Sequence, residues 1–202
     1  MKEMKVRLTF MEQVLGTASG DPELHTTYIA SKAPDFKTME EEIAEHGVDE
    51  VVEKGMTIFP KDADGNPFLY DYQIKGFFKN SCKAMRDADD SESAALKAYK
   101  QKIDNLVFVE ERKIFFRNPE GGSVEIGNCQ RPLRASTPQG ERVALANSES
   151  VPAGIQVEFT IKVLKDGLMK IVEEWLDYGK LNGIGQWHNS GCGRFTWEKV
   201  TE

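Results

Sequence analysis

Between residues 181 and 200 the chain reads LNGIGQWHNSGCGRFTWEKV, with Gly183, Gly185, Gly191 and Gly193 set around Trp187, His188 and Asn189 and followed by Arg194. Successive backbone N–H groups in such a loop can line a concavity for a phosphate, and glycine lets the backbone approach a ligand closely. Trp187 offers a face on which a base can stack, and Arg194 a cation. The competing reading is a turn whose glycines pack the loop against a sheet, with Trp187 as a core or interface residue. A second cluster is CQRPLRASTPQGER, residues 129–142, where Arg131, Arg134 and Arg142 stand with few acids nearby. Pro132 and Pro138 make it an extended loop or hairpin, and arginines on such an element can grip phosphates bidentately; a plain surface hairpin is the alternative. A third set is Gln73, Lys75 and Lys79, in a helical pattern that begins at Asp71. Lys75 and Lys79 are four apart and therefore neighbours on the helix surface, which also describes an ordinary exposed face.

Catalytic constellations are sparse. The histidines are His25, His46 and His188. Metal-independent RNA cleavage commonly uses a positioned base and acid, and His188 is the histidine that sits in the glycine loop, without an evident partner. No P-loop, dinucleotide fingerprint, His-Glu-x-x-His or Gly-x-Ser-x-Gly pattern occurs. The three cysteines, Cys82, Cys129 and Cys192, are far apart and form no Cys-x-x-Cys pair. Neither a disulfide framework nor a zinc site is expected, and no cofactor or metal.

The net charge of −7 counts against a protein that coats duplex nucleic acid by charge alone. It leaves room for a local basic groove, or for a surface that meets a basic protein. No segment approaches the roughly 18 apolar residues of a membrane span. The N-terminal MKEMKVRLTF enters an alternating strand pattern with no apolar signal-peptide core. A cytoplasmic protein is expected.

The elements that must position these residues follow from periodicity. Val6, Leu8 and Phe10 share one face of a strand over 4–10. Residues 16–36 lack a sustained period, apart from a potential helical turn near 22–31. Residues 38–53 are the most acidic stretch, and Thr38 with Glu41 forms a capping-box signal for a short helix that starts there and that Gly47 would end. That helix is either a solvated face or a dock for a basic partner. Met56–Phe59 reads as strand and DADGNP as a turn. Ile74, Phe77, Phe78, Ser81, Cys82 and Met85 fall at helical spacing, and 94–102 suggests a second short helix. Residues 104–146 read as strands broken by turns at 118–122 and 138–140. A strand over 154–164, a helix over 166–179 with Leu168, Ile171, Val172, Trp175 and Leu176 inward, and a strand over 193–200 complete the chain. A strand–helix–strand element near each end predicts an α+β protein with helices on one face of an antiparallel sheet.

Three blocks occur in an order that resembles the RAMP superfamily, the ferredoxin-like (RRM-like) RNA-binding subunits of CRISPR effector complexes. They are LGTAS after the first strand, DADGNPFLYDYQIKGFFKNSC in the middle, and GIGQWHNSGCGRF near the end. Within them, Asp64-Gly65-Asn66-Pro67 is similar to the family's turn, Gln73-Ile74-Lys75-Gly76 to its helix start, and Gly183 to Arg194 to its late glycine loop. The family's helix start usually carries Ser-Ser or Thr-Ser where this chain has Asp71-Tyr72. The chain as a whole is also similar to small phage and prophage proteins of Gram-positive bacteria. The resemblance implies one RAMP-like domain over 1–202, with an inserted helical segment at about 16–54 and β-hairpins at about 104–146. It implies single-stranded RNA or a nucleotide as ligand. Gly183, Gly185, Trp187, Asn189, Gly191, Gly193 and Arg194 would be contacts, with Gln73, Lys75 and Lys79 by the RNA backbone; Arg131, Arg134 and Arg142 join them on their own chemistry, in a segment without a clear family counterpart. Some family members cleave RNA with a loop aspartate, and Asp21 or Asp49 lies in the corresponding region. Two further roles stay open: docking on a host defence or CRISPR complex by imitating one of its subunits, and self-association, because family backbone subunits stack into filaments.

Overall fold

The computed structural model describes residues 1–19, 56–137 and 140–201, of which 133–137 and 140–144 are described by backbone alone. The expected turn near 22–31, the short helix of the acidic stretch 38–53, and Asp21, His25, His46 and Asp49 lie outside the described residues. Among the described residues the strands are β1 Lys2–Phe10, β2 Val14–Leu15, β3 Ala18–Ser19, β4 Thr57–Ile58, β5 Phe68–Tyr70, β6 Val107–Val109, β7 Lys113–Arg117, β8 Gly127–Thr137, β9 Gly140–Val151, β10 Gln156–Val163 and β11 Phe195–Lys199. The helices are α1 Asp71–Met85, α2 Tyr99–Leu106 and α3 Leu168–Tyr178. The chain divides into two units, one of Met1–Val14, Pro60–Glu125 and Val151–Glu202, the other of Leu15–Phe59 and Ile126–Ser150.

The first unit is built on a sheet of order β11-β1-β10-β7-β5, with β6 pairing β10 beside β7. The pairings of β1 with β10 and β11, of β10 with β6 and β7, and of β5 with β7 are antiparallel. Taking β6 and β7 as two halves of one strand, the order is fourth, first, third, second, and α1 and α3 are the two crossovers. This is the ferredoxin-like arrangement of two split β-α-β units. Strand alternation explains its layering. Met4, Val6, Leu8 and Phe10 on β1 and Val157, Phe159, Ile161 and Val163 on β10 are buried, while the residues between them are half-exposed or exposed. The helices supply the other half of the core. Phe78 of α1 meets Trp175 of α3 at 5.6 Å between ring centroids, and Phe77 meets Phe195 of β11 at 5.2 Å. Burial of such aromatic groups dominates core energetics, at about 3–5 kcal/mol per large-to-Ala change.

The polar edge of this core is bonded through. Trp175 Nε1 donates to Ser93 Oγ at 2.9 Å, and the Glu174 carboxylate accepts the backbone N–H groups of Glu92 and Ser93 at 2.9 and 3.1 Å. These contacts hold Glu92–Ala95 as a 3-10 turn. The helix expected over 94–102 is therefore displaced to Tyr99–Leu106, after a left-handed break at Ala98 (φ 51°). The strand expected from residue 104 starts later, because Asn105 and Leu106 still belong to α2.

β6 and β7 are interrupted at Glu110–Arg112. There the Glu111 carboxylate, rather than a neighbouring strand carbonyl, accepts the Thr160 N–H at 2.7 Å and its hydroxyl at 2.9 Å. A half-buried ladder position is thus kept satisfied while the strand kinks. The kink brings Arg112 to the start of α1, where its carbonyl accepts the N–H of Asp71 at 3.3 Å.

The second unit carries strands in the order β2-β9-β4-β3, with β8 on β9. β8 and β9 form a long antiparallel hairpin, in register from Gly127↔Ser150 to Thr137↔Gly140. Its base is fastened to β4: Thr57 Oγ1 and Ser148 Oγ are 2.7 Å apart, and Phe59 N–H donates to Glu149 Oε2 at 2.9 Å. Gly16 fits because a Cβ there would lie 2.5 Å from the carbonyl carbon of Ile58.

Candidate nucleic-acid interface

The glycine loop leaves α3 and returns into β11 through a tight neck. Ile184 N–H donates to the carbonyl of Gly193 at 3.0 Å. A Cβ on Gly183 would lie 2.2 Å from the carbonyl carbon of Gly193, and one on Gly193 would lie 1.9 Å from the carbonyl oxygen of Ile184. Gly193 also has φ +70°, and its N–H donates to the carbonyl of Gln13 at 2.8 Å. Ile184 and Cys192 are buried beside the neck. Gly183 and Gly193 are therefore required by backbone-to-backbone packing. Gly185 (φ 96°) and Gly191 (φ 92°) turn the chain beyond it.

The outer end of the loop carries the chemistry. Trp187 is 40% exposed and has φ 58°, a left-handed conformation uncommon for a bulky residue. His188 and Asn189 follow in a single 3-10 turn. The His188 Nδ1 is 3.0 Å from the carbonyl of Gly185, which orients the ring. Arg194 donates through Nε to the carbonyl of Gly191 at 3.2 Å and pairs with Glu12 at 3.1 Å. Its charge is thus balanced at the loop's base, and it braces the turn.

Of the residues on α1, Gln73 accepts the N–H of Tyr70 at 2.7 Å through Oε1 and so caps its own helix. Lys79 pairs with Asp104 at 2.6 Å. Lys75 donates to the carbonyl of Asp104 at 3.3 Å and lies 4.5 Å over the Phe108 ring. Both lysines lean toward α2 and β6.

In the other unit, Arg131 is 6% exposed and donates to Ser148 Oγ at 3.0 Å, as part of the Thr57–Ser148 fastening. Arg134 stands opposite Val143 and Arg142 opposite Ala135, on successive rungs near the end of the hairpin.

The face of the first unit's sheet away from the helices neutralises its own charge. Arg7 lies across from Glu158 and Glu198 on its two flanking strands and bonds both, at 2.7 and 2.8 Å. Glu158 and then Glu198 push the Arg7 guanidinium above its ordinary pKa. Lys162 pairs with Glu110 at 2.8 Å. This face is a ladder of paired ions rather than a basic platform.

One cluster emerges from tertiary pairing that the residue types alone did not single out. Tyr70 and Tyr72, at the start of α1, stack with ring centroids 5.3 Å apart and planes 18° from parallel. Arg112 is 5.2 Å from the Tyr70 ring and 5.8 Å from the Tyr72 ring, and it pairs with Asp71. Lys113 is 5.0 Å over Phe68, one strand pair away. Partial burial, foremost, pushes the Tyr72 phenol above its ordinary range, against a smaller pull from Arg112. The sequence signal was the run FLYDY; its partner Arg112 comes from a kink in a distant strand.

Among the described residues no three His, Cys, Asp or Glu side chains come together as a metal site, and no helix is long and apolar enough to cross a membrane.

Neither a protein-family model nor a curated protein matches the chain. Among solved structures it is similar to a chain of the Type III-B Cmr-beta bound to cognate target RNA, solved by cryo-EM, with TM-score 0.54 and 10% identity over 99% of this chain. It spans 60% of that chain's length. It is also similar to a chain of a Type IV-B CRISPR complex, with TM-score 0.53 and 10% identity, covering 99% of this chain and 91% of the other. At this identity the likeness is one of fold: a ferredoxin-like α+β fold shared with chains of two CRISPR complexes.

Proposed function

We propose that this chain is a RAMP-like binding module for single-stranded RNA, working as a non-enzymatic component. The observation that carries the reading is the outer end of the glycine loop. A half-exposed tryptophan, Trp187, is held there in a left-handed backbone conformation above a neck closed by glycine packing. Strained backbone that displays an aromatic face to solvent is a feature of ligand sites. A base can stack on such a face with little ordering cost. The shared fold with chains of two CRISPR complexes, one of them bound to target RNA, raises this reading above an ordinary surface turn. Arg134 and Arg142, on the hairpin of the second unit, are assigned phosphate contacts. Asn189 and the backbone N–H of Gly185 complete the loop's contacts, because the N–H groups of Gly191 and Gly193 are committed to the carbonyls of His188 and Gln13 at 3.0 and 2.8 Å.

Tryptophan fluorescence tests this directly. Trp175 is fully buried, and Trp197 is bonded to Asp177 at 3.0 Å. A titration with a single-stranded oligoribonucleotide is expected to quench wild-type emission and to leave Trp187→Phe nearly unquenched. Equal quenching of both proteins would remove Trp187 from the site.

The net charge of −7 favours one second reading, in which the chain docks on a CRISPR or other defence complex as a subunit mimic, phage-encoded and acting against the host. Assembly with such a complex in the absence of RNA binding would select it.

A further inference from the structure

Tyr72 is 55% exposed although α1 does not need it for packing. The buried stripe of that helix is Ile74, Phe77, Phe78, Ser81 and Cys82. The ring is nevertheless ordered by its surroundings. It lies nearly parallel to Tyr70, and Arg112 sits within 5.8 Å of it, held by Asp71. Tyr70 is in turn fixed by its place on β5 opposite Lys113 and by an edge-on contact with Phe68 at 5.0 Å. An exposed aromatic plane that is already immobilised loses little side-chain entropy on binding a flat partner.

We propose that Tyr72, stacked on Tyr70 and flanked by Arg112, is the seat for one unpaired base of single-stranded RNA. The inference rests on the reading that this chain binds RNA, and it adds a second stacking position separate from the glycine loop. The ligand must be single-stranded, because a base inside a duplex offers no free face. It is sequence-tolerant, because every base has a π face.

The local charges define how this seat differs from a phosphate site. Arg112 is paired with Asp71, and Lys113 lies near Asp62. The corner is close to neutral, so the seat contributes stacking and little counterion release. Its loss changes affinity without changing the salt dependence.

The test is fluorescence anisotropy of a labelled single-stranded oligoribonucleotide, titrated with the whole chain at several salt concentrations from about 50 to 200 mM. Tyr72→Ala is expected to weaken binding by roughly 5-fold to 150-fold, the range that stacking of one base spans. The slope of log affinity against log salt should stay at its wild-type value. Tyr72→Phe keeps the ring and should bind within about twofold of wild type, since the hydroxyl is not the stacking element. An oligonucleotide with abasic sites at every other position should bind wild type and Tyr72→Ala with closer affinities than the intact strand does. Wild-type RNA binding left unchanged in Tyr72→Ala would overturn the seat while leaving the RNA reading standing. A shallower salt slope in Tyr72→Ala would also overturn it, by making this corner a phosphate contact. Absence of RNA binding by the wild-type chain would sink both.

Discussion

Replacing Gly193 with alanine places a Cβ 1.9 Å from the carbonyl oxygen of Ile184 and 2.9 Å from its nitrogen and carbonyl carbon. Ordinary van der Waals contact begins near 3.4 Å, so the limbs of the loop must part by 3.4 − 1.9 = 1.5 Å. Both sides are backbone, and the displacement breaks the Ile184–Gly193 hydrogen bond at 3.0 Å. Overpacking of this kind costs about 1–3 kcal/mol. The φ of +70° adds about 1–2 kcal/mol for a residue with a Cβ. The expected destabilisation is thus about 2–5 kcal/mol, a large share of the roughly 5–15 kcal/mol that keeps a protein folded. Gly121→Ala is the internal control. It has φ +86° but nothing within 4 Å of an added Cβ, so only the conformational part of the cost applies. Urea denaturation followed by circular dichroism should place Gly193→Ala well below Gly121→Ala, with wild type above both. Equal stabilities of the two variants would refute the reasoning, because the neck would then not be a packed crossing.

Ser93→Ala leaves the buried Trp175 Nε1 without its acceptor and removes the hydroxyl that donates to the Glu174 carboxylate, and should cost about 1–3 kcal/mol in the same assay; a loss under about 0.5 kcal/mol would contradict the bonded network. Asp62 is held below its ordinary pKa, first by the side-chain hydrogen bond from Asn66 and then by the Asn66 backbone N–H. A depressed folded pKa means that the turn's contribution is present at neutral pH and is lost as pH falls through that folded value. Carbon-detected NMR should find the Asp62 carboxyl titrating below about 3.9, the value for an unperturbed aspartate, and a midpoint at or above it would contradict the bonding seen.

Much of the first unit was legible because its elements are amphipathic with a clean period. β1 and β10 alternate at two, α1 and α3 carry stripes near 3.6, and each buried face matches the core that forms. The ferredoxin-like sheet follows from joining those elements. The kink at Glu110–Arg112 was not legible. It depends on Glu111 replacing a ladder partner for Thr160, a contact made across the sheet. For the same reason the sequence did not single out the Tyr70–Tyr72–Arg112 cluster: two of its members are neighbours in the chain and the third arrives through that kink. The glycine loop was legible as a loop but not in its division of labour. Only the backbone crossing separates Gly183 and Gly193, which close the neck, from the exposed turn around Trp187. Type and spacing group Arg131 with Arg134 and Arg142, yet strand pairing carries it into contact with Ser148. Charge along a sequence does not report which rung of a hairpin faces inward.

The most direct measurement is the affinity of the wild-type chain for a labelled single-stranded oligoribonucleotide as a function of salt. The account predicts measurable binding near 50 mM salt that weakens as salt rises, with a log–log slope of about −0.7 for each phosphate neutralised. Absence of binding at that salt, by a folded protein, would contradict it.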